Sequence, residues 1–281
     1  MIKQEFQLTQ SQKMMVFVLT MSLYGLATLF TELIPEVRIG IVELSVEYFA
    51  FIPLILCILF DPLYAAIGAA TGEVIFSEIM LGQFGGFGEV EKFVTFALGM
   101  YIAGLMVNDP ANKKQVGIAA ITGVIIHQFF SCTIDILKVQ FAIEEFEAVA
   151  GLPESVLFTE AFSFVNDVLF SGILFCLIPT VYFVPKLYGK IEPLLGIRPR
   201  DAQTGFSFKE VFNIKMLITM LIVFAAAVGF EFMSEAGINI IDWEAEWAES
   251  TPAMIMSIAA SLIVGVGIIG FMSNLAKAKK G

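Results

Sequence analysis

Six polar side chains set the chemistry open to this chain: Glu73, Glu78, His127, Asp135, Asn166 and Asp167. Each falls inside an apolar run long enough to enter a bilayer. A carboxylate there costs roughly 2.5–3.5 kcal/mol or more unless it meets a partner or a water-filled cavity. With about 1.5 Å of rise per residue, Glu73 lies about 15 Å and Glu78 about 22 Å from Leu63, and His127 about 16 Å from Val116. By the same rise, Asn166 and Asp167 lie only about 8–9 Å from Ala161. Three separate helices therefore place polar groups between mid-depth and one common end. That pattern suits capture of a polar or cationic small molecule in a hydrated cavity, or a proton or ion relay.

Hydrolytic and redox chemistry finds no support. The chain lacks H-E-x-x-H, G-x-x-x-x-G-K-[ST] and G-x-S-x-G. The three cysteines, Cys57, Cys132 and Cys176, fall in apolar runs without C-x-x-C spacing. They read as small buried residues rather than a disulfide framework or metal site. No catalytic residue, cofactor or resident metal is expected, and no nucleic-acid partner.

The elements that must position these groups are apolar helices. Of 281 residues 58% are hydrophobic and 15% charged, against about 45–50% and about 25% in soluble domains. Mean hydropathy is +0.84. The excess is sorted into eight blocks: Met14–Ile34, Tyr48–Phe60, Leu63–Leu81, Phe93–Val107, Val116–Val139, Ala161–Val184, Met216–Met233 and Ala253–Met272. The second and fourth are short, so a tilted or partly re-entrant segment fits there. The fold class is an all-α polytopic membrane protein of about eight spans. The polar N-terminus has no signal-peptide cleavage pattern.

Lys and Arg orient the spans. With both termini cytoplasmic, the outside retains only Arg38, Lys92 and Lys138 of 16 basic residues. The outer loops are acidic, with Glu43 and Glu47 in the first, and they either serve topology alone or concentrate cations at a mouth. Two outer segments are predicted to be ordered: Ile41–Tyr48, with Glu43 and Glu47 at i and i+4, and Val139–Val156, with helical periodicity. Trp243 and Trp247 read as headgroup anchors. Three parts follow: a six-span core over 1–186, a basic cytoplasmic connection over 187–213, and a two-span hairpin over 214–281. Within an α-helix, His127 and Asp135 share a broad face, whereas Glu73 and Glu78, five apart, do not.

The Phe49–Leu81 hairpin, hinged at Asp61-Pro62, is the predicted packing centre. Small residues (Gly68 and Gly72 here, Ser22, Gly25 and Thr28 on the first span) either pack internally or dock a second membrane subunit. Together with Phe51-Ile52-Pro53-Leu54, Leu59-Phe60-Asp61-Pro62 and Gly72-Glu73, these features resemble the substrate-binding (S) component of energy-coupling factor (ECF) transporters. The likeness covers about Met14–Val184. Asp61 stands where that family usually has glycine, and the last two spans exceed its six.

The resemblance implies a plasma-membrane subunit that captures a vitamin or other micronutrient from outside. It would dock through Ser22, Gly25, Thr28, Gly68 and Gly72 onto a transmembrane coupling subunit driven by two ATPases. Ile2 stands where the metal-binding branch has histidine, which argues against cobalt or nickel. The expected substrate site comprises Glu73, His127, Asp135, Asn166, Asp167, Glu43, Glu47 and Glu78, taking a vitamin-like or cationic molecule. The other readings are a self-sufficient ion-coupled transporter and a non-transport assembly subunit.

Overall fold

The computed structural model describes residues 8–35, 37–39, 41–44, 46, 48–142, 145–146, 148–149, 151–200, 211–238 and scattered positions between 252 and 267. Glu47, Trp243 and Trp247 lie outside the described residues, as do the side chain of Glu43 and most of the eighth apolar block.

The bundle begins with α1 (Gln10–Thr31), opened by a reciprocal cap in which the Thr9 and Gln12 side chains bond each other's backbone N–H. A short antiparallel hairpin follows, β1 (Val37–Ile39) and β2 (Val42–Leu44), with Arg38 opposite Glu43. This replaces the expected helical spacing of Glu43 and Glu47. The sequence there alternates branched apolar and charged residues with period two, which suits a strand.

Next comes α2 (Phe51–Leu59), only nine residues. At about 14 Å it reaches roughly half the depth of its neighbours. Asp61 accepts from the N–H groups of Leu63 and Tyr64 at 3.0 and 2.9 Å and Pro62 takes the first turn, so the pair starts α3 (Pro62–Glu73). That capping role explains an aspartate at the position where the resemblance would put a turn glycine.

A π-helical turn, Val74–Ile79, continues α3. Then come α4 (Glu89–Met106) and α5 (Lys113–Gln140). The stretch after α5, expected to be helical, holds no helix among its described residues before α6 (Val156–Asp167). A π segment, Val168–Leu177, leads into α7 (Ile178–Leu187), giving one unbroken 32-residue rod. Helix α8 (Ile214–Glu235) follows.

Four of these rods (Gln10–Thr31, Lys113–Gln140, Val156–Leu187 and Ile214–Ser234) are long and apolar enough to cross a membrane. Their outward faces carry large apolar residues in the open, such as Ile214 at 68% and Ile222 at 63% exposed. Exposed apolar belts of that extent need a nonaqueous or protein neighbour.

Close backbone approach holds the centre. A Cβ on Gly68 would lie 2.5 Å from the Phe17 carbonyl, and Gly72 meets Met21 O closer still. On the other side of the bundle, a Cβ on Gly99 would lie 2.6 Å from Gly123 O. So α1 packs on α3, and α4 on α5, through glycine, with Leu54, Ile58, Leu59, Met100 and Ile102 filled in between.

One end of the bundle, where α3 starts and α4 and α7 stop, is basic; the other, where α1 and α5 stop and α4 starts, is acidic. The basic end is closed by the connection after α7. Arg200, 7% exposed, donates from one guanidinium nitrogen to Gly104 O at 3.1 Å. The other nitrogen reaches Cys57 O at 3.4 Å and Phe60 O at 3.5 Å. These are carbonyls at the C-terminal ends of α2 and α4, which lack helical partners and favour a cation. Gln12 holds Gly196 O at 2.7 Å, the Tyr188 hydroxyl donates to the Arg200 carbonyl, and Leu195 and Ile197 are buried beneath.

Candidate functional site

The α4–α5 interface changes character along its length. Toward the basic end it is glycine and alanine: Gly99, Ala103 and Gly123. Toward the acidic end the same faces become polar at intervals of four residues. His127 Nδ1 lies 3.2 Å from Thr95 Oγ1. One turn on, Ser131 donates to Glu91 Oε1 at 3.1 Å. A further turn on, Asp135 pairs with Lys138 at 3.0 Å, and Lys138 pairs with Glu231 of α8 at 3.4 Å. His127 and Asp135 thus share the face that their eight-residue spacing predicts.

The upper two rungs, from Glu91 and Ser131 to Asp135, Lys138 and Glu231, border a cavity of about 340 Å³ at the acidic end. Its walls carry Glu89, Glu91, Asp135 and Glu231 against Lys92 and Lys138, with Ser131 and Ser234 between them. Lys92 reaches Glu78 Oε1 at 3.2 Å and Glu89 Oε2 at 3.6 Å. Four carboxylates against two ammoniums leave an acidic excess in a confined space, a field that draws cations. Ser234 donates to Gly85 O at 3.1 Å and seats α8 on the rim.

Glu73 and Glu78 require a correction to the spacing argument. Glu73 is the last residue before the π turn, and Glu78 lies within it. In a π turn five residues make about one circuit, so i and i+5 share a face. The π turn therefore brings the two carboxylates toward one side of the helix, which α-helical spacing would not.

At mid-depth a second polar level is enclosed by rings. Because α2 is short, Tyr48 sits beside α5, where its hydroxyl accepts from Gln128 at 3.1 Å. Its ring meets His127 and Phe96 edge-on, at 5.7 and 6.3 Å between centroids. Phe96 in turn stacks on Tyr24 of α1 at 4.9 Å.

The structure brings Glu78 and Asp135 to the cavity region and holds Glu73 and His127 at the level below. Asn166 bonds its neighbour Asp167 at 3.4 Å on α6, and neither lines the cavity. Glu43 lies opposite Arg38 in the β1–β2 hairpin, while its side chain and Glu47 lie outside the described residues.

The docking stripe needs the larger revision. Ser22 and Thr28 are 0% and 3% exposed, and Gly25, Gly68 and Gly72 are consumed by the α1–α3 contact. Ser22 and Thr28 also return their hydroxyls to Val18 O and Gly25 O of their own helix. These residues fasten two helices of one chain and present no face to another subunit.

Several site residues carry little or no mark in the sequence. Lys92 and Lys138 stand out there only as exceptions to the charge bias, yet each bridges two carboxylates. Glu231 is an isolated carboxylate inside an apolar block, the same signal that flags Glu73, and could be found the same way. Tyr24, Tyr48 and Phe96 give no signal, since aromatic residues fill ordinary membrane helices.

No curated protein and no solved structure matches the chain. Residues 15–281 match a family of unknown function, DUF8171, and the chain belongs to that family.

Proposed function

We propose that this protein is the substrate-capturing membrane subunit of an importer for a cationic or amine-bearing micronutrient. In this reading the chain crosses the plasma membrane eight times with both termini in the cytoplasm. The acidic end and its cavity face outside, and the arginine-closed basic end faces the cytoplasm. The observation that carries the reading is the polar ladder His127–Thr95, Ser131–Glu91 and Asp135–Lys138–Glu231, which leads from an acid-rich cavity to mid-depth. A protein with a purely structural role has no need of such a graded path, because buried ion pairs contribute little net stability. The likeness of the first six spans to ECF S components adds a separate coupling subunit and ATPases as the energy source.

The test is purification from native membranes in mild detergent. Co-purification of a membrane coupling subunit with two ATPases supports the importer. Gradient-driven uptake by the protein alone in proteoliposomes overturns it. That second result would favour an ion-coupled carrier, a reading to which Lys92 and Lys138 lend some support, since each bridges two acids that could exchange a proton or cation.

A further inference from the structure

The level below the cavity holds two polar atoms that the fold leaves unsatisfied. The Tyr24 hydroxyl belongs to a residue with 0% exposure and has no hydrogen-bond partner. Glu73 Oε2 is also buried without one. They are neighbours: Gly25 and Gly72 touch where α1 crosses α3, with a Cβ on Gly72 falling 3.0 Å from Gly25 N, and Tyr24 and Glu73 flank that contact. A buried carboxylate oxygen and a buried phenol left unpaired each forfeit a hydrogen bond, a cost proteins rarely leave in place without a use.

Their surroundings define what would satisfy them. The nearby cation, Lys92, is already engaged by Glu78 and Glu89. Rings pack beside Tyr24: Phe96 stacks on it at 7°, with Tyr48 and His127 edge-on to Phe96. Aromatic faces attract an organic cation, and the carboxylate oxygen requires a donor. A quaternary ammonium supplies charge but no N–H. A protonated primary or secondary amine supplies both.

We propose that Glu73 and Tyr24 form the ammonium subsite of this protein, taking a protonated primary or secondary amine whose apolar body lies against Phe96, Tyr48 and His127. The proposal rests on the substrate-capturing reading above and narrows its substrate to amines that carry N–H donors.

The test uses the purified full-length protein in detergent with three probes of one shape: benzylammonium, benzyltrimethylammonium and uncharged benzyl alcohol. Binding is followed by calorimetry and thermal shift. Benzylammonium should bind most tightly. Benzyltrimethylammonium should be weaker by roughly tenfold and the alcohol weaker still, the factors expected for one charge-assisted hydrogen bond and for the charge itself. Glu73→Gln should weaken benzylammonium by roughly 10- to 100-fold. Tyr24→Phe, which keeps the stack on Phe96, should weaken it several-fold while leaving the unliganded melting temperature close to wild type.

Equal binding of amine and alcohol overturns the proposal. So does absence of amine binding, or a Glu73→Gln protein that melts differently but binds the amine as wild type does, since Glu73 is then structural. The outcome separates from that of the importer reading. Amine binding lost in Glu73→Gln without any coupling subunit leaves the subsite standing and the importer fallen. A coupling complex whose membrane subunit ignores amines gives the converse.

Discussion

Arg200→Met should loosen the basic end of the bundle without unfolding it. The guanidinium makes one well-formed bond, to Gly104 O at 3.1 Å, and two long ones, to Cys57 O at 3.4 Å and Phe60 O at 3.5 Å. A hydrogen bond from a charged donor contributes about 1.5–3 kcal/mol net, and long bonds contribute less. Against this stands burial, which works against the arginine's charge and lowers its pKa from the ordinary value, with the Asp61 carboxylate opposing that shift. Methionine keeps the apolar stem packed and removes the charge along with its desolvation cost. The balance is a loss of about 2–3 kcal/mol from the closed arrangement, or a rise of roughly 30- to 150-fold in the open fraction.

Cys57 reads that opening directly, since it is 0% exposed and its own carbonyl is one of the acceptors. In a Cys132→Ser, Cys176→Ala background it is the remaining thiol. Its alkylation by a membrane-permeant maleimide should accelerate by that factor in Arg200→Met and by less in Arg200→Lys, which keeps the charge but loses the forked donor. If Cys57 reacts at the wild-type rate in a variant that elutes and melts normally, Arg200 does not hold the helix ends together.

Two further sets of substitutions test the packing and the cavity wall. Gly68→Ala places a methyl 2.5 Å from the Phe17 carbonyl, so it should lower thermal stability by about 2–3 kcal/mol as two backbones are forced apart. Gly229→Ala, with nothing within 4 Å, should be neutral or stabilising by about 0.5–1 kcal/mol, as expected of alanine in a helix. Lys138→Met removes the cation that Asp135 and Glu231 share and should cost about 2 kcal/mol, less than the 3–5 kcal/mol typical of a buried pair because Asp135 is 38% exposed on its side chain. Adding Glu231→Met should restore part of that loss; thermal unfolding of single and double variants measures the coupling.

The four membrane-length helices follow from the length of apolar runs, as Val116–Val139 against α5 (Lys113–Gln140) illustrates. The offset has a cause: Asn112 caps α5 by accepting from Lys114 N and Gln115 N, so the helix begins in polar residues that hydropathy discards. The shortness of the second block is likewise real, with nine helical residues ending against Arg200. Depth alone puts Glu73 and His127 near one level. What the sequence hides is everything that depends on distant residues. Arg200 lies 143 positions from Cys57 and 96 from Gly104, and a basic residue in a proline-rich loop carries no local mark of burial. The π turn is hidden because no residue type demands it, yet it brings Glu73 and Glu78 onto one face where α-helical geometry would separate them.

Which wall of the site can yield follows from what each wall is made of. Between α1 and α3 the contact is backbone on glycine, at the same level as Tyr24 and Glu73, so parting these helices would break close carbonyl-on-glycine packing. The α4–α5 pair is fastened likewise at Gly99 and Gly123. Helix α8 is different. Only 11% of its apolar window is buried, against 44% for α1. It meets the bundle through the Lys138–Glu231 pair, the Ser234 bond to Gly85 O, and ring contacts of Phe224 with Phe130 and Phe230 with Phe87. Side-chain contacts of this kind can be exchanged for contacts with water or ligand at small cost, whereas carbonyl-on-glycine packing cannot. If the protein captures a cationic substrate as proposed, a ligand moving from the acid-rich cavity toward mid-depth meets its least resistance at α8, and its charge competes directly with Lys138 for Glu231 and Asp135.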